Sequence, residues 1–299
     1  HSADYLAPED TLMSIAKKRT FRFFTFPALF AILIIMILPM IFSIYIMFND
    51  VNLLDGGKFV WAGLGNFKKF FHDERALHSI WITAKYLVGV LVLETGLGLI
   101  ISFFLDRKFF AKPVVRALVI IPMFMTPVVA GLIWRAFFDT NNGIVNWLLS
   151  LVNIPMVDWL GNTKTALPSL MITDMWQWTP FMVLLIMASL DCVPTDQIEA
   201  AMIDGAHEMQ IIRHIKFPFI LPTTLIAVVM RSIDAVKLFD TVYVMTKGGP
   251  GMATEMVNMY SYIVGFQHFR IGYATTISFI FTFVITFLLT KMIQATKAV

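Results

Sequence analysis

Six apolar runs divide this chain, at roughly 22–48, 78–105, 113–138, 167–190, 219–240 and 270–294, and each is long enough to cross a hydrocarbon core about 30 Å thick. In lipid the backbone finds no water to bond, so runs of this length must become helices that satisfy their own N–H and C=O groups. The predicted fold is all-α, a polytopic membrane protein with about six transmembrane helices. Composition agrees: 58% of the 299 residues are hydrophobic and the mean hydropathy is +0.75, which leaves too little polar surface to cover a soluble globule. The expected organisation is a cytoplasmic N-terminal segment over 1–20 and one transmembrane domain over 21–299, with no room for a soluble catalytic domain. The first run is far longer than the apolar region of a signal peptide, so no cleavable signal is expected. The net charge of +3 is small and dispersed, and argues against nucleic acid as a partner. The single cysteine, Cys192, excludes an internal disulfide and a cysteine-based metal cluster.

Basic residues in the loops predict the orientation. Lys17, Lys18, Arg19 and Arg22, four more between 106 and 116, Arg213 and Lys216, and Lys291 and Lys297 fall on one side. The other side has Lys58, Lys68, Lys69, Arg75, Lys164 and Lys247 in much longer loops. The excess places both termini and the loop 195–218 in the cytoplasm.

That loop belongs to a polar island between two apolar runs. Thr195 and Asp196 supply N-cap oxygens, Glu199 follows Asp196 by three residues, and Gly205 suits a left-handed helix end, so a helix of two to three turns is predicted. Such a helix is marginal alone in water, and something must hold it. Ile198, Ala201 and Met202 form a narrow apolar stripe on it, beside Glu199, Asp204 and the small Ala200. A second periodic stretch, Met209, Ile212 and Ile215, leads to Pro218, whose ring is expected to bend the chain as the next span begins.

Glu199-Ala200-Ala201, then Gly205, Ile215 and Phe217-Pro218 at their spacing, resemble the EAA loop of the membrane-spanning subunits of bacterial binding-protein-dependent type I ABC importers. Phe217 stands where that family usually has leucine. Gly63-Leu64 with Asn66-Phe67, Trp134 followed by Gly143 and Asn146, Trp178 before Pro180, and Phe239-Asp240, Tyr243, Thr246, Gly248-Gly249-Pro250 and Thr254 resemble the carbohydrate-type permeases of the family. Their order along nearly the whole chain tilts the cargo toward sugars, polyols or their phosphates. The resemblance implies a bacterial inner-membrane location and a second permease subunit, a different chain. It also implies two cytoplasmic ATPase subunits that carry ATP and Mg, so that this chain has no cofactor of its own, and an external solute-binding protein. It assigns coupling to the ATPase to Glu199, Ala200, Ala201, Asp204, Gly205, Ile215 and Pro218. The plain alternative is a solvated connector.

Ionisable residues within spans are costly and count as functional candidates: Lys85, Glu94, Arg135, Asp174, Arg231, Asp234, Lys237 and Asp240. The last four alternate in sign at steps of three, a ladder that winds around its helix. It serves either as ion pairs holding the bundle together or, through Asp234, Lys237 and Asp240, as the lining of a cargo cavity. In span four, Pro180 withholds its N–H and clashes with the carbonyl of Trp176, so a kink is expected beside Trp176, Gln177 and Trp178. An amide and two indoles suit sugar hydroxyls and the apolar face of a pyranose, though packing around a tolerated kink uses the same residues. Trp176 and Trp178 point to different sides of a helix. Gly248-Gly249-Pro250-Gly251 lacks the lysine and serine of a phosphate loop and reads as a turn. The six histidines show no metal spacing, and His207 and His214 read as solvated or as touching a partner. No catalytic constellation is readable, so an enzyme or assembly factor is a weak rival. The other rival is a secondary transporter driven by an ion gradient, with its ion site at a mid-membrane carboxylate such as Glu94.

Overall fold

Long apolar stretches with defined ends become the long helices of the computed structural model, which describes residues 24–107 and 109–296. The basic anchor from Lys17 to Arg22, Lys108 and Lys297 lie outside the described residues. Five helices are long and apolar enough to cross a bilayer: α1 (Phe24–Met47), α3 (Glu74–Asp106), α7 (Ala166–Leu190), α9 (Glu208–Ala235) and α12 (Ile271–Thr296). Between α1 and α3 lie the strands β1 (Asn49–Val51) and β2 (Phe59–Trp61) and the short helix α2 (Gly65–Phe71). The strands pair antiparallel, with Asn49 opposite Trp61, a small hairpin that the all-α reading did not contain.

The third span departs from expectation. It is a pair of helices, α4 (Lys112–Phe124) and α5 (Pro127–Phe137), bent by 102° at their junction. Pro122 and Pro127 cannot donate to the helical ladder, and Met125 and Thr126 adopt extended backbone between them. Gln177 of α7, itself buried, donates its amide to the Met125 carbonyl at 2.8 Å and satisfies a group freed by the break.

Span five is also corrected: α9 stops at Ala235, and Asp240 begins a separate helix, α10 (Asp240–Met245). The Asn258 amide donates to the Val236 carbonyl at 3.1 Å and gives the helix end a partner outside the helix. The stretch read as an outer loop up to 268 is largely helical, with α11 (Val257–Tyr262) extended by one wide turn. The helix α6 (Ile144–Leu151) and the coupling-loop helix α8 (Thr195–Ile203) complete the order.

Helix α7 is the centre of the bundle and packs along α3 and against α9 and α5. It remains one continuous helix through the buried Pro180. Close approach to α3 relies on Gly98, where a β-carbon would stand 2.7 Å from that of Met182. Ser102 beside it donates to the Val183 carbonyl at 3.4 Å.

Several of the secondary motif residues staple the loops at the end of the bundle away from α8. Asn66 donates to the carbonyls of Met47 and Asn49 at 3.1 and 3.0 Å. Asn146 donates to those of Thr140 and Val157, both at 2.9 Å, and accepts from the Trp159 indole at 3.0 Å. Thr254 donates to the Gly249 carbonyl at 2.7 Å. Buried polar groups need such partners, which accounts for these residue types without a ligand.

Candidate functional site

The coupling loop is a helix, a turn and a second helix. Helix α8 begins after Pro194, whose ψ of 123° is extended, so Thr195 and Asp196 are its first residues and no side chain caps it. This corrects the N-cap expectation. Asp196 instead places its carboxylate in the first turn, at the positive end of the helix. The C-terminal end agrees with the sequence: Gly205 has φ +80°. The Gly205 N–H donates to the Met202 carbonyl at 3.1 Å and the Ala206 N–H to that of Ala201 at 2.9 Å, the paired bonds of a Schellman motif.

Beyond the turn, His207 and Gln210 exchange side-chain and backbone hydrogen bonds and cap α9. Pro218 does not interrupt α9. A wide π-type turn over Ile212–Lys216 precedes it, in which each N–H reaches one residue further back. Gly205, Asp204, Ala201, Gln210, His214 and Ile215 line a notch of about 340 Å³ between α8 and α9. None of α8 is buried: Glu199, Ala200 and Asp204 are exposed, Met202 is 56% exposed and Ile203 is 86% exposed.

Ion pairs frame the base of the loop. Arg107 at the end of α3 contacts both carboxylate oxygens of Glu208, at 2.9 and 3.2 Å. Lys216 pairs with Asp106, and Arg116 lies 3.7 Å from Asp191. The Arg107 and Arg116 pairs are solvent-exposed, and each contributes no more than about 1 kcal/mol.

Within the bundle the charges regroup. Arg231 of α9 donates to Glu94 of α3 at 3.0 Å and to Asp174 of α7, and its Nε stands 2.8 Å from the second Glu94 oxygen. All three side chains are at most 2% exposed, and the guanidinium sits 5.1 Å from the centre of the Trp178 ring. Arg231 is about 15 residues from Lys216, so the cluster lies roughly 22 Å from the base of the coupling loop. It ties together α7 and α9, the two helices that enter and leave α8.

The ladder read from the sequence therefore breaks up. Arg231 is committed to the cluster, Asp234 and Lys237 face solvent 3.8 Å apart, and Asp240 is exposed on its own helix. Lys237 also borders a cavity of about 200 Å³ together with Asn258, Thr282 and Thr286. Trp176 packs edge-on against Trp134, with ring centres 5.8 Å apart, and Trp178 faces Arg231, so the two indoles do diverge. Arg135 donates to the Val244 carbonyl at 3.1 Å and ties α5 to α10. Among the described residues no group of His, Cys, Asp or Glu gathers as metal ligands. Sequence reading took Glu94 and Asp174 as separate candidates and placed Arg231 in the ladder with Asp234, Lys237 and Asp240. Their opposite signs in three different spans were the available signal for the cluster.

At the opposite end of the bundle, Asp73 caps α3 and also accepts from the Tyr260 hydroxyl at 2.6 Å and from Tyr273. Burial pushes its carboxyl up, but the two tyrosines and the backbone N–H groups of Ala76 and Arg75 outweigh that and hold it below the ordinary range.

A polytopic helical bundle with an exposed short helix projecting between two central spans is the architecture of a membrane-spanning transport subunit. The chain belongs to the family of inner-membrane components of binding-protein-dependent transport systems, whose model matches residues 94–297. It is 34% identical over 259 residues to a probable ABC transporter permease of Sinorhizobium fredii, covering 86% of this chain and 84% of that one. It is 33% identical over 247 residues to the trehalose/maltose transport system permease of Thermococcus litoralis, covering 82% of each. A bacterial ABC transporter involved in the import of the acidic polysaccharide alginate shares the fold, with a TM-score of 0.85 at 20% identity over 97% of this chain and 99% of that one.

Proposed function

We propose that this chain is the permease subunit of an importer for a sugar, a polyol or a sugar derivative, and that α8 is the element through which a separate ATPase drives it. Helix α8 carries this reading: it is a helix of nine residues, capped at its C-terminal end alone, with no side chain buried in its own chain. So short a helix is marginal alone, and docking in a groove of a partner supplies the missing contacts. Glu199 and the small Ala200 and Ala201 form the contact, Asp204 and Gly205 the hinge, and Ile215 and Pro218 the return into the membrane. ATP and Mg belong to two ATPase subunits. A second permease, a different chain, completes the pathway, and a solute-binding protein delivers the cargo from outside. The loop and both termini face the cytoplasm of a bacterial cell.

The carbohydrate reading is supported by relatives described as carrying trehalose and maltose, starch degradation products and sulfoquinovosyl glycerol. Trp176, Trp178, Gln177, Asp234, Lys237 and Asp240 remain the candidate cargo contacts, with Gln177 also holding the α4–α5 break. A gradient-driven mechanism is disfavoured because Glu94 is closed off by Arg231.

The test is ATP hydrolysis by the reconstituted complex purified through this chain, with its binding protein, across a carbohydrate panel. Stimulation by one sugar is the expected result. Purification without an ATPase, together with uptake that follows an ion gradient, would overturn the proposal.

A further inference from the structure

At the end of the bundle away from the coupling loop, α3 continues past the hydrocarbon. Its apolar stretch from Tyr86 to Leu105 already supplies the ~20 residues that a bilayer core requires, so the turns from Glu74 to Lys85 stand at the interface and beyond it. There a groove of about 540 Å³ opens between α3, the start of α7 and the turn at Pro250. His78, Lys85 and Lys164 line it over a floor of Ile82, Leu167 and Met252, and it contains no carboxylate. Both lysines are exposed, and among the described residues neither is in an ion pair. The Lys85 ammonium lies 4.9 Å from the centre of the Trp81 ring, a tryptophan at the depth of an interfacial belt. Below Lys85, on the same face of α3, Val88, Val92 and Ile100 are all exposed and lead from the groove into the membrane.

We propose that this groove binds the headgroup phosphate of an anionic phospholipid in the leaflet opposite the coupling loop, with an acyl chain along Val88, Val92 and Ile100. The lysines supply two point charges without a competing carboxylate, and the aliphatic track starts where they end. An inorganic phosphate has no use for that track, and neither has a protein approaching from water.

The complex purified through this chain is titrated with phosphatidylglycerol and followed by native mass spectrometry, alongside the Lys85→Gln/Lys164→Gln variant. Wild type retains the lipid in preference to phosphatidylcholine, and the variant retains phosphatidylglycerol about 30-fold less tightly, the loss expected for two interfacial lysines. Inorganic phosphate does not displace it. Equal retention by the two proteins overturns the proposal, as does displacement by inorganic phosphate alone. So does a variant that keeps its lipid but loses stimulation by the binding protein, or loses the second permease, because the groove then belongs to a protein. The substitutions remove only exposed charges, and an unchanged elution profile of the complex checks that it still assembles.

Discussion

Replacing Gly205 with alanine isolates the backbone turn that ends the coupling helix. Gly205 has φ +80°, and apart from its immediate chain neighbours no residue comes within 4 Å of where a β-carbon would stand. The substitution therefore meets no steric obstacle in this chain, and its cost is that of a left-handed conformation, about 1–2 kcal/mol. That lowers the equilibrium constant for forming the capped turn about 5- to 30-fold. Asparagine tolerates the same conformation better than alanine and is expected to cost less despite its greater bulk. Proline removes the N–H donated to Met202 and requires φ near −65°, a cost of roughly 3 kcal/mol or more. Binding-protein-stimulated ATP hydrolysis in proteoliposomes should then fall in the order glycine, asparagine, alanine, proline. The reasoning is refuted if alanine matches glycine, which would make the turn irrelevant to coupling. It is equally refuted if asparagine falls below alanine, since side-chain bulk against the partner would then matter more than backbone conformation.

Arg231→Met leaves Glu94 and Asp174 buried without a counter-charge and should lower stability by about 3–5 kcal/mol, read as a fall in the thermal unfolding temperature. Adding Glu94→Gln and Asp174→Asn should restore most of the loss, and a single variant that melts like wild type would refute the role of the cluster. Glu255→Gln weakens the paired contacts to Arg75 at 2.7 and 2.6 Å and should cost about 2 kcal/mol in the same assay. The Asp73 carboxyl is held below the ordinary value of 3.8, so its stabilisation is complete above that value and is lost as pH falls below it. Asp73→Asn should therefore melt lower at neutral pH and lose less than wild type on acidification. Parallel melting curves for the two proteins would show that Asp73 contributes nothing.

What the sequence by itself determined is the part of the molecule governed by local chemistry. Six apolar runs force helices, because lipid offers the backbone no other partner, and Gly205 ends the coupling helix because only that residue type takes φ +80° at little cost. The EAA spacing pointed to the family because it is a pattern of residue types at fixed intervals, legible without the fold. The tertiary structure decided wherever a residue's partner is distant in the chain. The run 113–138 reads as one span, yet it breaks between Pro122 and Pro127 with a 102° bend, and Gln177 of another helix braces it. Pro180 and Pro218 carry the same local signal and leave their helices continuous. Arg231 sits at a regular interval in a charge ladder, yet it pairs with Glu94 and Asp174, 137 and 57 residues away. In a low-dielectric interior a charge takes whichever opposite charge the packing delivers, and only the assembled bundle fixes which one that is.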